Sequence, residues 1–365
     1  MSLRSEASSA EAVTAGPGPS ESRPSWYRRP LPRFVAGRFL ASLVILFGIT
    51  LISFMLTQAV PADPAVAALG QQATPAQLAN YREVHGLDDP LVVQYVHYMK
   101  NLLHGNLGVS QQTHNSVMAD LGSFVPATLE LALLAMVMAT VIGVGFGILA
   151  ALYRDRWPDH VLRVVSLSGI SVPVFWLALV LLYLFFYVWG LLPGGGRLDP
   201  SMTPPPHVTG MYTVDALLHG QWSVFVNALQ HVILPSAVLA ASSIGLLTRY
   251  TRSAVLDVID QDYVRAARAQ GLSERTVVFG YVLRAALPSV ITVIGLLFAN
   301  VLTGAVLVEN IFAWPGIGRY GYQAASTLDL PAIMGVSLFV ALVYLVVNFV
   351  VDLLYGVLDP RIRVT

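Results

Sequence analysis

Six stretches of this sequence run for close to twenty residues or more without an Asp, Glu, Lys or Arg: Phe39 to Val60, Leu131 to Tyr153, Val164 to about Leu192, about Val232 to Thr248, Ala285 to Val308 and Leu330 to Val351. A helix rises about 1.5 Å per residue, so about 20 apolar residues cross a hydrocarbon core of about 30 Å. The fourth stretch is the shortest and extends backwards through uncharged Phe225 to His231. Six charge-free runs cannot share one core and still leave polar groups to cover the outside. The remaining solution is an all-α polytopic membrane protein with six spans. Composition agrees: of 365 residues, 55% are hydrophobic and 12% charged, against roughly 25% charged in an ordinary soluble domain.

Orientation follows from the basic residues. Seventeen of the 21 fall in the N-terminal segment, the second and fourth connections, and the C-terminus; only Arg82, Lys100, Arg197 and Arg319 lie on the other side. Both termini are therefore expected in the cytoplasm. Residues 1–33 are rich in Ala, Ser, Glu, Gly and Pro, bury too little to fold, and read as a disordered cytoplasmic tail. The tail is not a cleavable leader, because the first apolar run starts near Phe34 and is long enough to span.

Several functions are excluded early. There is no cysteine, and hence no disulfide, thiolate metal site or cysteine nucleophile. The single lysine, Lys100, precedes Asn101, so no P-loop exists and any ATP driving this protein is hydrolysed on another chain. Neither HExxH nor GxSxG occurs. The net charge of zero offers nothing to nucleic acid. Glu130 and Asp352 approach the spans, and both stand at span ends. An ion-coupled secondary transporter, which keeps ionisable groups at mid-membrane, fits poorly. Ser171, Ser242, Ser243, Asn300 and Asn348 read as helix-to-helix hydrogen-bonding groups. Gly143, Gly145 and Gly147 read as a close-packing face, with a hinge as the alternative.

Between the first two spans, residues 61–125 form a helical extracytoplasmic subdomain, lying on the membrane or on a partner. Thr74 and Pro75 open a helix that Gly86 stops. Asp89 and Pro90 open a second, with an apolar stripe of Leu91, Val92, Tyr95, Val96, Met99, Leu102 and Leu103, closed by Gly105. His97 and His104, seven apart on that helix, suit ordinary surface or aromatic packing better than a metal pair. The sharpest local signal lies in the cytoplasmic loop 256–284. There Asp260 to Gly271 reads as a short helix with acids at its positive end and a glycine stop. Ala266, Ala267 and Ala269 keep it narrow, and Arg265 and Arg268 share a face. Such a helix suits a groove on another protein, or equally an interfacial position where arginines follow the charge bias.

The segment Tyr263 to Gly271, followed by Leu287-Pro288, resembles the coupling loop of ABC-importer permeases, in its arrangement the dipeptide/oligopeptide branch. Arg265 in place of the glutamate of many families and the longer spacing to Leu287-Pro288 are similar to that branch. Other segments resemble it too: Pro61-Ala-Asp-Pro64, Thr74-Pro75, Gly86-Leu-Asp-Asp-Pro90, Gly105-Asn-Leu-Gly-Val-Ser110, Pro126-Ala-Thr-Leu129, Ser171-Val-Pro-Val-Phe175 and Glu309-Asn-Ile-Phe-Ala-Trp-Pro-Gly-Ile-Gly318. The long first outer loop is similar to that of the B-type permease of the pair.

The resemblance implies the type I importer permease architecture, with residues 126–362 as the permease core. It implies a bacterial inner-membrane, non-catalytic subunit that binds no cofactor. Implied partners are a C-type permease, two ATP-binding subunits carrying ATP and Mg, and an extracytoplasmic peptide-binding protein. It also implies that Tyr263, Val264, Arg265, Ala266, Ala267, Arg268 and Gly271 couple the chain to the ATPase. Ser171, Phe175 and Asn300 are candidates for the translocation path, and Trp314 to Gly318 for a structural clasp rather than a substrate contact. Two rivals are a permease of the same fold for nickel or another small solute and, from another class, an ATP-independent secondary transporter.

Overall fold

The computed structural model describes residues 31–59, 64–70 and 72–358. The expected tail up to residue 30 and the Pro61-Ala-Asp segment lie outside the described residues, as does the Asp352 side chain. The described residues are helical almost throughout. Five described helices are long and apolar enough to cross a membrane, and a bent helix pair supplies a sixth crossing when counted as one span.

The first spanning helix, α1 (Leu31–Ala59), starts three residues before Phe34, so Leu31 to Arg33 belong to it and not to the tail. Three short helices follow: α2 (Pro64–Leu69), α3 (Pro75–His85) and α4 (Leu91–Leu103). The α3 ends follow the sequence grammar. Thr74 and Gln77 form a reciprocal capping box, Pro75 takes the first turn, and Gly86 closes the helix in the left-handed conformation at φ +59°. At α4, Pro90 and not Asp89 occupies the cap position, without a side-chain cap bond. Asp89 instead offers its backbone carbonyl to the Gln94 amide at 2.8 Å.

The core is built on α5 (Val117–Leu152), α9 (Trp222–Ile259) and α12 (Leu283–Ile311). The alanines 127, 132, 135 and 139 give α5 a flat face, against which Val232, Val238, Leu239 and Leu247 of α9 pack. Ser236 adds an interhelical hydrogen bond to the Leu131 carbonyl at 3.2 Å. Gly143 and Gly147 continue this face. A Cβ at Gly143 would stand 2.7 Å from Leu247 Cβ, and one at Gly147 2.5 Å from Thr251 Cβ. Gly145 meets nothing within 4 Å, because residues two apart on a helix point to different sides. The expected three-glycine face is a two-glycine face.

The third apolar run is not one straight helix. It breaks at Val172-Pro173 into α6 (Trp157–Ser171) and α7 (Val174–Leu182), bent by 103°. Pro173 supplies no N–H and disfavours helix at the residue before it. From α7 the chain continues through a wider, π-helical turn at Tyr183–Val188. The fourth helix, α9, is far longer than the charge-free run, because the packing on α5 and α6 extends past Arg249 and Arg252. Beyond it come α10 (Asp262–Ala269), α11 (Glu274–Thr276), a π-helical turn at Val277–Val282, and α12. Finally α13 (Ile317–Thr327) and α14 (Leu330–Leu358) follow, with α14 packed on α1 and α12.

Candidate functional site

The short helix predicted in the cytoplasmic loop is α10. Gln261 is its extended N-cap residue and Asp262 stands in the first turn. Gly271 follows with φ +78° and no atom within 4 Å of a hypothetical Cβ, so glycine is needed there for backbone conformation and not for space. The two faces of α10 differ completely. Val264 is 0% exposed and Ala267 3%, and both are sealed against Ala151 of α5, Val255 of α9, Val277, Val282 and Ala286. Tyr263, Arg265, Ala266 and Ala269 face outward.

Among the seven expected coupling residues, therefore, Val264 and Ala267 anchor the helix to its own chain. Tyr263, Arg265 and Ala266 stand on the exposed face. Arg265 donates from Nε and Nη2 to the Asp260 carbonyl at 3.1 and 2.8 Å, which ties α10 to the end of α9. Arg268 reaches Glu274 Oε1 at 3.0 Å, bracing the turn around Gly271.

A second element at the same end of the bundle was not legible in the sequence. Asp159, 0% exposed near the start of α6, accepts two hydrogen bonds from Arg252 of α9, from Nε to Oδ1 and from Nη2 to Oδ2, each 2.8 Å long. Arg163 Nη2 and the Asp155 amide complete its shell at 3.1 and 3.0 Å. Arg252 stands one turn before Val255, the residue on which α10 rests. Gly169 of α6 closes on the Ala241 carbonyl, leaving no space for a side chain. Hence α10, α9 and α6 are packed into one contiguous unit up to the bend at Pro173. The available signal was an aspartate directly after Trp157-Pro158, the usual place for an acid in a first helical turn; its partner 93 residues away was not readable.

At the other end, the Trp314 turn is a clasp. Trp314 Nε1 donates to the Ala127 carbonyl at 2.9 Å, and the Ile317 amide donates to Thr128 Oγ1 at 2.8 Å. Thr128 in turn donates to Glu309 Oε1 at 2.6 Å, and the Arg319 amide to Glu309 Oε2 at 2.8 Å. Glu309 and Trp314 are buried, and any side chain at Gly316 would run into Glu309 and Thr128.

Nearby, Arg197 Nη2 donates to Glu130 Oε2 at 2.6 Å and to the Gly210 carbonyl at 2.7 Å, with its guanidinium 3.6 Å over the Tyr212 ring. Arg197, counted above among the few basic residues of the other side, is buried and paired. The turn that presents Gly210 is organised by Asp215 of α8 (Tyr212–Leu218). Burial alone would raise the Asp215 carboxyl. Hydrogen bonds from the Thr209, Val208 and Gly210 amides and the Thr209 hydroxyl outweigh it, and hold the group below its ordinary value.

The path candidates flank the bend and line a separate helix. Ser171 ends α6, its hydroxyl donating to the Leu167 carbonyl at 2.9 Å within its own helix. Phe175, 50% exposed, stands just past Pro173, and Asn300 lies on the exposed side of α12. His104 engages the Lys100 carbonyl through Nδ1 at 2.7 Å.

A profile of the family described as "Binding-protein-dependent transport system inner membrane component" matches residues 143–364, and its companion N-terminal family matches residues 31–132. The chain belongs to this family. It is a multi-pass component of the inner membrane, built on the importer-permease fold. The probable D,D-dipeptide transport system permease protein DdpB of Escherichia coli (strain K12) is 47% identical to this inner membrane component over 320 residues, 88% of this chain and 94% of the relative. The di/tripeptide transport system permease protein DppB of Pseudomonas aeruginosa (strain UCBPP-PA14) is 43% identical over 332 residues, 90% and 98% of the two chains. A chain of the inward-facing MetNI methionine ABC transporter is similar at 15% identity and a TM-score of 0.44, covering 62% of this chain and 93% of that one.

Proposed function

We propose that this chain is the B-type permease subunit of an ATP-driven importer for dipeptides or oligopeptides, forming half of the translocation path. It would pair with a C-type permease, two ATP-binding subunits that hold ATP and Mg, and an extracytoplasmic peptide-binding protein. Both termini would lie in the cytoplasm, as the arginine distribution favours. The chain itself is the non-catalytic membrane subunit. The relatives named above, which carry di- and tripeptide names over almost their whole length, support the cargo class.

The observation that carries the mechanism is the division of α10 into a locked face and an open one. Val264 and Ala267 transmit force into α9 and the 277–286 segment, while Tyr263, Arg265 and Ala266 receive it from the ATPase. Closure of the ATPase pair would displace α10, and through Arg252 and Asp159 carry α9 and α6 along with it. The bend at Pro173, with Ser171 and Phe175 beside it, is where that unit ends and the path residues begin. Few mid-membrane charges suit a path that passes varied zwitterionic cargo, with selection left to the binding protein.

The test is Ala266→Trp, which adds bulk to the open face without touching the core. At normal expression, with ATPase subunits still co-purifying, dipeptide uptake should fall at least tenfold while ATP hydrolysis persists. Unchanged uptake would remove α10 from the coupling role.

A further inference from the structure

Helix α4 is amphipathic in the opposite sense to a water-facing subdomain. None of its 13 residues is buried in the chain, and its apolar stripe points outward, with Val92 74% exposed, Val96 57% and Leu103 82%. Its polar residues Gln94, His97 and Asn101 lie on the opposite side and line an open cavity of 510 Å3, shared with Leu330, Pro331 and Met334 at the start of α14. Polar side in and apolar side out is the arrangement of a helix whose solvent is not water.

The depth of α4 against α1 says what that solvent is. The apolar part of α1 ends no earlier than Leu56. Tyr95 of α4 packs edge-on against Phe54 at 5.3 Å and Phe47 at 6.1 Å, and its hydroxyl hydrogen-bonds Thr50 Oγ1 at 2.9 Å. Thr50 and Phe47 lie six and nine residues before Leu56, about 9 and 13 Å down the helix. A subdomain standing clear of the bilayer could not reach either residue. The amphipathic rings of Tyr95 and Tyr98 suit the boundary region, and the only charge in α4 is Lys100, on a stem long enough to reach the headgroups.

We propose that α4 is embedded in lipid, in the leaflet opposite the arginine-rich loops, with Val92, Val96 and Leu103 against acyl chains. The outer subdomain is then a float fixed to α1, holding the neighbouring loops at one height above the path. This inference concerns the chain and the bilayer alone, and does not depend on the cargo or the coupling reading.

The absence of native cysteine makes it directly testable. Single variants Val92→Cys, Val96→Cys and Leu103→Cys, with Asp88→Cys in the preceding loop as a water reference, are spin-labelled. Measurements use the assembled transporter, its partner chains freed of cysteine, in bilayers. Collision rates with molecular oxygen, which concentrates in lipid, and with a neutral nickel chelate, which stays in water, are compared. Oxygen rates several-fold above the chelate rates at the three stripe positions, with the order reversed at Asp88→Cys, are the expected result. Chelate-dominated collisions would place the stripe in water, and low rates with both reagents would place it against a protein partner. Either outcome overturns the proposal. Should one variant fail to assemble, the other two stripe positions give the same readout.

Discussion

Replacing Gly147 by alanine should force α5 and α9 apart, whereas the same change two residues earlier should not. An alanine Cβ at Gly147 would stand 2.5 Å from Thr251 Cβ and 2.9 Å from the Thr248 carbonyl oxygen; at Gly143 it would stand 2.7 Å from Leu247 Cβ and 3.1 Å from the Ile244 carbonyl oxygen. Ordinary contacts between carbon atoms are about 3.5–4.0 Å, so the helix axes must separate by about 1 Å. Thr248, Thr251 and Leu247 are themselves buried, and cannot swing away. Overpacking of this kind costs about 1–3 kcal/mol, which at roughly 2 °C per kcal/mol lowers the apparent melting midpoint in detergent by roughly 2–6 °C. At Gly145 nothing lies within 4 Å, and alanine gains up to about 1 kcal/mol of helix propensity. Gly145→Ala should therefore melt at or above the parent temperature.

The double variant Gly143→Ala/Gly147→Ala should cost less than the sum of the two singles, because one separation of the helices relieves both clashes. Melting curves of the purified chain with its partners, followed by tryptophan fluorescence, give all four values. A Gly147→Ala variant as stable as the parent, or a Gly145→Ala variant that loses several degrees, would refute the packing argument.

Two further outcomes follow from the polar contacts. A double-mutant cycle between Asp159→Asn and Arg252→Gln should return a coupling of about 2 kcal/mol in stability, since Asp159 is 0% exposed and Arg252 20%; a coupling near zero would dissolve the strut between α6 and α9. Asp215 should make the protein acid-sensitive. Its folded value is depressed, so the stability it contributes is complete above the unfolded value of about 3.9 and is lost as pH falls through the lower folded value. The melting midpoint of the parent should exceed that of Asp215→Asn at pH 6 and approach it below pH 4, and a gap unchanged by acid would contradict this.

Periodicity and capping chemistry are local, and what depends on them was readable in advance. The α3 boundaries, written by Thr74, Pro75 and Gly86, match residue by residue. The glycine stop of α10 and the crossing helices match because charge-free length and a left-handed glycine need no distant partner. The failures share one cause, which is that hydropathy carries no direction. It could not show that Ala267 turns inward while Ala266 turns out, nor that Gly145 leaves the face of its two neighbours. It also could not separate one straight third span from two halves, although Val172-Pro173 stood in plain view. The Asp159–Arg252 pair and the network of Thr128, Glu309 and Trp314 join residues 93 to 187 positions apart. A single sequence holds no record of such pairing.

The corner at Pro173 also determines which surroundings the third crossing can accept. A helix that turns through 103° ends once and begins again, leaving the last carbonyls of α6 and the first amides of α7 without the ladder that would normally consume them. Hydrocarbon has nothing to give such groups, and irregular backbone at that depth persists only against protein or water. One side of this corner must therefore be kept free of oil. A prolyl ring thus reserves a protein- or water-facing corner in an otherwise greasy sequence, at a place where no charged side chain is needed.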